Sequence, residues 1–302
     1  MLYDVVILGG GPAGLSAALA LGRARKRVLL CDAGPRRNAA ASHVHNFVTR
    51  DGTPPEEFRR VGRAQLASYP SVELRDVPAR SVTGARGAFQ IELAQGVARA
   101  RRVLLCTGVV DEPLPIEGFV ELWGRSIFQC PYCHGWERQD QTWAYLARDA
   151  AALPFAVMLR GWTRQVTVFT GDLFEVGEDA RAQLVSAGVQ LETERVVRLH
   201  RRGDQLDGVE LGSGRVVACA ALFAHPPQRQ VDLVRALGPT LDGDGLVQVD
   251  PMTRETSVPG VFAAGDLTTR AQGAIFAAAT GAQAAGMINH GLTVELAAAG
   301  LV

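Results

Sequence analysis

Tyr3-Asp4-Val5-Val6-Ile7-Leu8 runs directly into Gly9-Gly10-Gly11-Pro12-Ala13-Gly14 and then into an alanine- and leucine-rich stretch that reaches about Gly22. A compact β-branched run, a glycine turn and a helix in immediate succession is the order that a dinucleotide pyrophosphate requires. Gly9 allows the tight turn, Gly11 lets the backbone approach the phosphates, and Gly14 lets the helix pack close to the strand. The helix that starts at Pro12 supplies N–H groups from Ala13 onward and the positive end of the helix dipole. Arg27-Val28-Leu29-Leu30-Cys31 reads as a second strand, and it delivers Asp32 at the distance from Gly9 where the motif needs an acceptor for ribose hydroxyls. This constellation makes a dinucleotide site without choosing between FAD and NAD.

The middle of the chain carries Cys130-Pro131-Tyr132-Cys133-His134, two thiols within disulfide reach and a titratable group beside them. Such a set can exchange electrons between a dithiol and a flavin. A buried pair of inert thiols would look the same, and so would half of a zinc site. Zinc needs more ligands, and Cys31, Cys106 and Cys219 each stand alone, so no metal site is expected.

With 302 residues, 47% of them apolar, and a mean hydropathy of +0.08, the chain can bury a sizeable core in one or two domains of a soluble globular protein. Lys plus Arg and Asp plus Glu both total 31, a balance that gives no support for nucleic acid or an anionic membrane as partner. The arginine-rich runs at 23–27 and 99–102 read as solvated helix ends or loops. The first apolar run is interrupted by Gly9-Gly10-Gly11-Pro12 and has no charged leader, so it reads as neither signal peptide nor membrane span. Few cysteines and no disulfide-rich pattern fit a reducing, cytoplasmic setting. Trp123, Trp136, Trp143 and Trp162 read as core or interface aromatics.

Near the other end, Val258-Pro259-Gly260-Val261-Phe262-Ala263-Ala264 delivers Gly265-Asp266, followed by Gln272 and an alanine-rich helix from about Ala274 to Ile288. Together with Leu105-Cys106-Thr107-Gly108 and the N-terminal motif, these segments resemble the flavoproteins of the thioredoxin-reductase type. The resemblance implies an α/β fold of two Rossmann-like, three-layer ββα dinucleotide-binding domains, the second inserted in the first. Residues 1–112 and 243–302 would form the FAD domain, and 113–242 the insertion that carries the cysteine pair. It further implies FAD as cofactor, with Gly265 and Asp266 at the ribityl chain and pyrophosphate and the helix that follows Gln272 against the flavin ring. Thr107 and Gly108 match the segment that leaves the FAD domain. His43, His45 and Asn46 fall in the loop that approaches the flavin in such proteins, where a histidine can assist proton transfer and Asn46 can contact the flavin. Homodimerisation is implied by the same resemblance.

In that family a second glycine motif and a basic cluster would serve NADPH. Here the corresponding runs are Leu146-Ala147-Arg148-Asp149-Ala150-Ala151 and Thr170-Gly171-Asp172. Side chains at Ala147 and Arg148 would crowd a pyrophosphate, and Asp149 and Asp172 would repel a 2′-phosphate. The reading therefore argues against an efficient NADP(H) site.

The block Cys130-Pro131-Tyr132-Cys133-His134-Gly135-Trp136-Glu137 is similar to that of thioredoxin-reductase-like dithiol oxidases, which close disulfides in gliotoxin-, holomycin- and romidepsin-type natural products. Thioredoxin reductases proper carry Asp where this chain has His134. The resemblance implies an enzyme that oxidises a small-molecule dithiol, with Cys130 exposed to substrate, Cys133 nearer the flavin, His134 as proton acceptor, and oxygen as final acceptor. A reductase of a thioredoxin-like protein is the rival reading, and a non-enzymatic flavin-binding redox sensor is the third.

Overall fold

The computed structural model describes residues 1–34 and 36–301, and the chain forms two compact units, Met1–Val110 with Gln228–Val302, and Asp111–Pro227. In the first unit the strand Leu2–Leu8 lies at the centre of a sheet, flanked in parallel by Val28–Cys31 and Gly96–Leu105. Val72–Arg75 extends the parallel set on one side and Val261–Ala263 pairs in parallel with Gly96–Leu105. An antiparallel arm, Ala79–Thr83 and Phe89–Leu93, is joined to Gly96–Leu105.

The period-two alternation of a strand sorts these residues onto two faces. Val5, Ile7, Leu104 and Phe262 face the helices, where they pack against Ala13, Leu21, Ala284 and Ile288. Val6, Leu8, Val103, Leu105, Val261 and Ala263 face the opposite side and meet Phe89, Ile91 and Val234. Val5, Val6 and Ile7 are wholly buried, and each such side chain contributes on the order of 2 kcal/mol relative to exposure. The helix Asp232–Leu237 belongs to this unit and packs on the antiparallel arm, with Val234 fully buried.

The helix Pro12–Arg23 begins with Pro at its first turn, where the missing N–H costs nothing. It lies against a long C-terminal helix, Ala274–Ala298, which runs past the expected end at Ile288. Leu292 is buried and Glu295 pairs with Arg102, so tertiary contacts carry the helix through Gly291. Arg102 is a second departure from expectation. The run 99–102 lies within the strand Gly96–Leu105 rather than in a solvated loop, and the Arg102 guanidinium is buried because Glu295 reaches it. Among the described residues no helix is long and apolar enough to cross a membrane.

The second unit holds a five-stranded parallel sheet in the order Gln190–Glu192, Val166–Phe169, Trp143–Leu146, Ala221–Ala224, Ile127–Phe128. The helices Leu153–Leu159 and Glu178–Ser186 contribute to a core with Trp143, Tyr145 and Phe223. On its other face, Ala144, Leu146 and Leu222 meet an antiparallel sheet of Val196–Arg202, Gln205–Leu211 and Val216–Ala218.

Candidate functional site

In the first unit the strand register sets four chain reversals on one edge of the sheet. Gly9 N donates to Cys31 O, Cys106 N to Leu8 O, and Ala264 N to Leu105 O, so Gly9, Asp32, Cys106 and Ala264 each stand just beyond the C-terminal end of a strand. Ligands of open α/β sheets bind at this edge. Gly9 has φ +115°, and a Cβ there would overlap the Cys106 carbonyl; only glycine lets the two turns meet. Gly265, at φ +90°, sits over Ala13, which brings the Gly265–Asp266 turn against the start of the Pro12–Arg23 helix. By contrast, a Cβ on Gly11 would point into open space, so the backbone there is bare and approachable.

These positions fit the diphosphate of FAD: exposed backbone at Gly11, the first amides of a twelve-residue helix, and a carboxylate beyond each of two flanking strands. The Asp32 carboxylate accepts from Gly34 N at 3.2 Å and is clasped by Arg59. A cavity of about 420 Å³ beside it is lined by Asp32, Gly34, Glu56, Arg59, Arg63 and Asp76. Asp266 Oδ2 accepts from Arg37 Nη1 at 3.0 Å, and the same nitrogen donates to Gln272 Oε1 at 2.7 Å. The Gln272 amide forms a reciprocal pair with Gln228, and Gly265 N donates to Thr280 Oγ1 at 3.0 Å.

Arg37, Arg59, Gln228 and Thr280 therefore contact the candidate site residues, although sequence reasoning did not single them out. Arg37 and Thr280 carry no local signal, since their partners are distant in sequence or reached by a side chain from a helix. Arg59 and Arg63 are a helix turn apart and both reach toward Asp32, a spacing that a search for that carboxylate's partner would have found. Thr107 and Gly108 follow Cys106 at the same edge, with Gly108 in the left-handed region. His45 and Asn46 lie in a loop closed by Val44 and Thr53, with His43 just before it; His45 Nδ1 is 3.3 Å from Asp51 Oδ1, which also accepts from Asn46 N.

The second unit holds Cys130, Cys133 and His134 together. Pro131 fixes the first turn of a short helix, Pro131–His134, with Cys130 as its N-cap residue. Cys133 N donates to Cys130 O at 3.2 Å, and the two cysteines form a disulfide with Cα atoms 5.3 Å apart. Both are half-buried, whereas Tyr132 and Trp136 on either side of Cys133 are 62% and 71% exposed. Trp136 is thus not a core residue, while Trp143 is, at 1% exposure. The His134 imidazole stacks on Phe128, and Tyr132 meets Trp162 edge-on.

The other three cysteines are buried and unpaired. Burial pushes the Cys31 thiol up to about 11 and the Cys219 thiol up to about 12, and raises Cys106 further. Thiols held protonated are poor nucleophiles, which leaves the Cys130–Cys133 pair as the reactive one.

At the edge of the second sheet where a nucleotide would sit, the central strand ends without a glycine turn. Ala147 is buried and its N–H continues the ladder to Phe169 O at 2.9 Å. Asp149 caps the following turn, its Oδ1 accepting from Ala152 N at 2.9 Å. A carboxylate thus occupies the helix-start amide that a pyrophosphate oxygen would use. Tyr145, Phe155 and His225 cluster there, the His225 ring edge-on to the other two, with centroids 4.6–5.9 Å apart.

Residues 3–286 match the family described as pyridine nucleotide-disulphide oxidoreductase. The chain is 31% identical over 307 residues to thioredoxin reductase sirT of Leptosphaeria maculans, covering 95% of this chain and 94% of that one. Among solved structures it superposes on an oxidoreductase from Agrobacterium tumefaciens with a TM-score of 0.91 at 37% identity, covering 97% and 99% of the two chains. The structure of HlmI gives a TM-score of 0.91 at 36% identity, covering 99% and 95%. Two dinucleotide-type α/β units, an FAD-fitting glycine cradle and a redox-capable disulfide are what this kinship would require, and the chain belongs to the pyridine nucleotide-disulphide oxidoreductase family as a thioredoxin-reductase-like, FAD-binding enzyme.

Proposed function

We propose that this enzyme oxidises a small-molecule dithiol to a disulfide through Cys130 and Cys133, with oxygen as the final acceptor. The observation that carries the reading is the pairing of an accessible disulfide with a nucleotide edge capped by the enzyme's own Asp149 carboxylate. The first substrate thiol gives its proton to His134 and attacks Cys130 Sγ. The Cys130–Cys133 bond breaks, Cys133 departs as thiolate, and a substrate–Cys130 mixed disulfide forms. The second substrate thiol loses its proton to solvent and attacks the substrate sulfur of that bond, which closes the product disulfide and releases Cys130 as thiolate. The substrate has then lost two electrons and two protons, and the enzyme disulfide has gained the two electrons. FAD, held by the glycine cradle and Asp266, would supply a two-electron acceptor for the Cys130 and Cys133 thiolates, with oxygen as the final acceptor and peroxide as its product.

Gly9, Gly11, Pro12, Ala13 and Gly14 would cradle the diphosphate and Asp32 the ribose. Asp266, Gln272, Thr107, Gly108, His45 and Asn46 would serve the flavin half. The exposed Tyr132 and Trp136 offer apolar surface beside the disulfide, which equally suits reduction of a thioredoxin-like protein. Oxygen consumption separates the two. With a small dithiol in air, the enzyme should release one peroxide per disulfide formed, and Cys130→Ser should release none. Turnover that requires NADPH and a protein disulfide would contradict the proposal.

A further inference from the structure

We infer that Phe128 is a positioning residue for His134, holding the imidazole in the plane from which it takes the substrate thiol's proton. The inference rests on the proton-accepting role proposed for His134. The two rings are nearly parallel, 14° apart in plane, with centroids separated by 4.3 Å. One face of the imidazole is thus sealed by a phenyl ring, and rotation of the imidazole about its Cβ–Cγ bond would drive an edge into that ring.

The phenyl ring itself has little freedom. Phe128 ends Ile127–Phe128, the edge strand of the five-stranded sheet, which pairs in parallel with Leu222 and Phe223. It is 4% exposed, and its centroid lies 6.0 Å from that of Phe223. The chain then needs only Gln129 to reach Cys130, so the sheet that fixes Phe128 also fixes the start of the disulfide turn. Cys130 is the N-cap of the four-residue helix Pro131–His134 and His134 is its last residue, so one short turn carries both. The strand thereby locks the orientation of the imidazole relative to the sulfur that a substrate thiolate attacks, and proton transfer is steeply sensitive to such alignment. Phe128 carries no titratable group, so its contribution passes through His134.

A double-mutant cycle tests this with dithiothreitol as probe, reading the anaerobic rate of flavin reduction in the FAD-loaded enzyme. His134→Gln should slow reduction by about a hundredfold, in keeping with loss of a general base. Phe128→Leu should slow it about tenfold, Phe128→Tyr, which keeps the stacked face, should restore most of that, and Phe128→Leu added to His134→Gln should cost nothing more. An additive double mutant, slower by a further tenfold, would overturn the inference and assign Phe128 to the fold or to the cysteines. Where Phe128→Leu fails to fold, Phe128→Met takes its place in the same cycle. Full activity of His134→Gln would instead remove the role of His134 itself, a failure distinct from that of Phe128.

Discussion

Arg37 Nη1 donates to Asp266 Oδ2 at 3.0 Å and to Gln272 Oε1 at 2.7 Å, tying the loop after the second strand to a turn 229 positions away. Both acceptors belong to the proposed flavin half of the site. Charge-assisted hydrogen bonds of this kind contribute about 1.5–3 kcal/mol. Arg37→Ala should therefore weaken FAD binding by at least about tenfold in a titration of apoprotein, with Arg37→Lys intermediate. An unchanged dissociation constant would remove Arg37 from the site.

Gly9 and Gly11 separate folding from cofactor binding. Gly9 is held at φ +115° against the Cys106 carbonyl, so Gly9→Ala should destabilise the apoprotein itself by about 2 kcal/mol or more. Gly11 has an ordinary extended backbone and open space around it. Gly11→Ala should leave apoprotein unfolding unchanged while lowering FAD affinity, because the added methyl stands only where a phosphate would approach. Loss of apoprotein stability in Gly11→Ala would contradict the placement of the cradle.

The Arg102 side chain is 2% exposed and reaches Glu295 Oε2 at 2.5 Å. Glu295→Ala leaves that guanidinium buried without its carboxylate. The cost should be about 2–3 kcal/mol in urea unfolding, less than for a fully interior pair because Glu295 is itself reached by water. Replacing Arg102 by Met and Glu295 by Leu together should recover most of the loss.

The buried thiols predict an alkaline limit to stability. Cys31 and Cys219 titrate at about 11 and 12 in the folded chain, above the ordinary thiol value, because burial disfavours the thiolate. The unfolded chain therefore releases these protons first as pH rises. Their contribution is fully present below about pH 8.5 and is lost toward pH 11–12, at up to about 1.4 kcal/mol per pH unit for each thiol. Cys219→Ala should flatten this slope in unfolding measured from pH 8 to 11; an unaltered slope would contradict it.

The local motifs were legible because each is written in adjacent residues: the strand and glycine turn at 3–14, the second strand ending at Asp32, the cysteine pair and the Gly265–Asp266 turn. What the sequence concealed depends on distant partners. Arg102 lies in a polar run that looks solvated until Glu295 from the last helix reaches it, and Arg37 is unremarkable until Asp266 folds beside it. The C-terminal helix continues beyond Ile288 because Leu292 is buried, which no propensity at Gly291 would indicate. The missing nucleotide motif was readable as absent glycines. That Asp149 instead caps the helix start was not, since capping is a matter of backbone geometry.

The most direct measurement is anaerobic: the oxidised-flavin band of the FAD-loaded enzyme is followed after mixing with a small dithiol and, separately, with NADPH. Rapid bleaching by the dithiol is expected, restored by air with peroxide release, and little bleaching by NADPH on the same timescale. Rapid bleaching by NADPH with none by the dithiol would contradict the proposed function and make the protein a reductase whose capped second unit still admits the nucleotide.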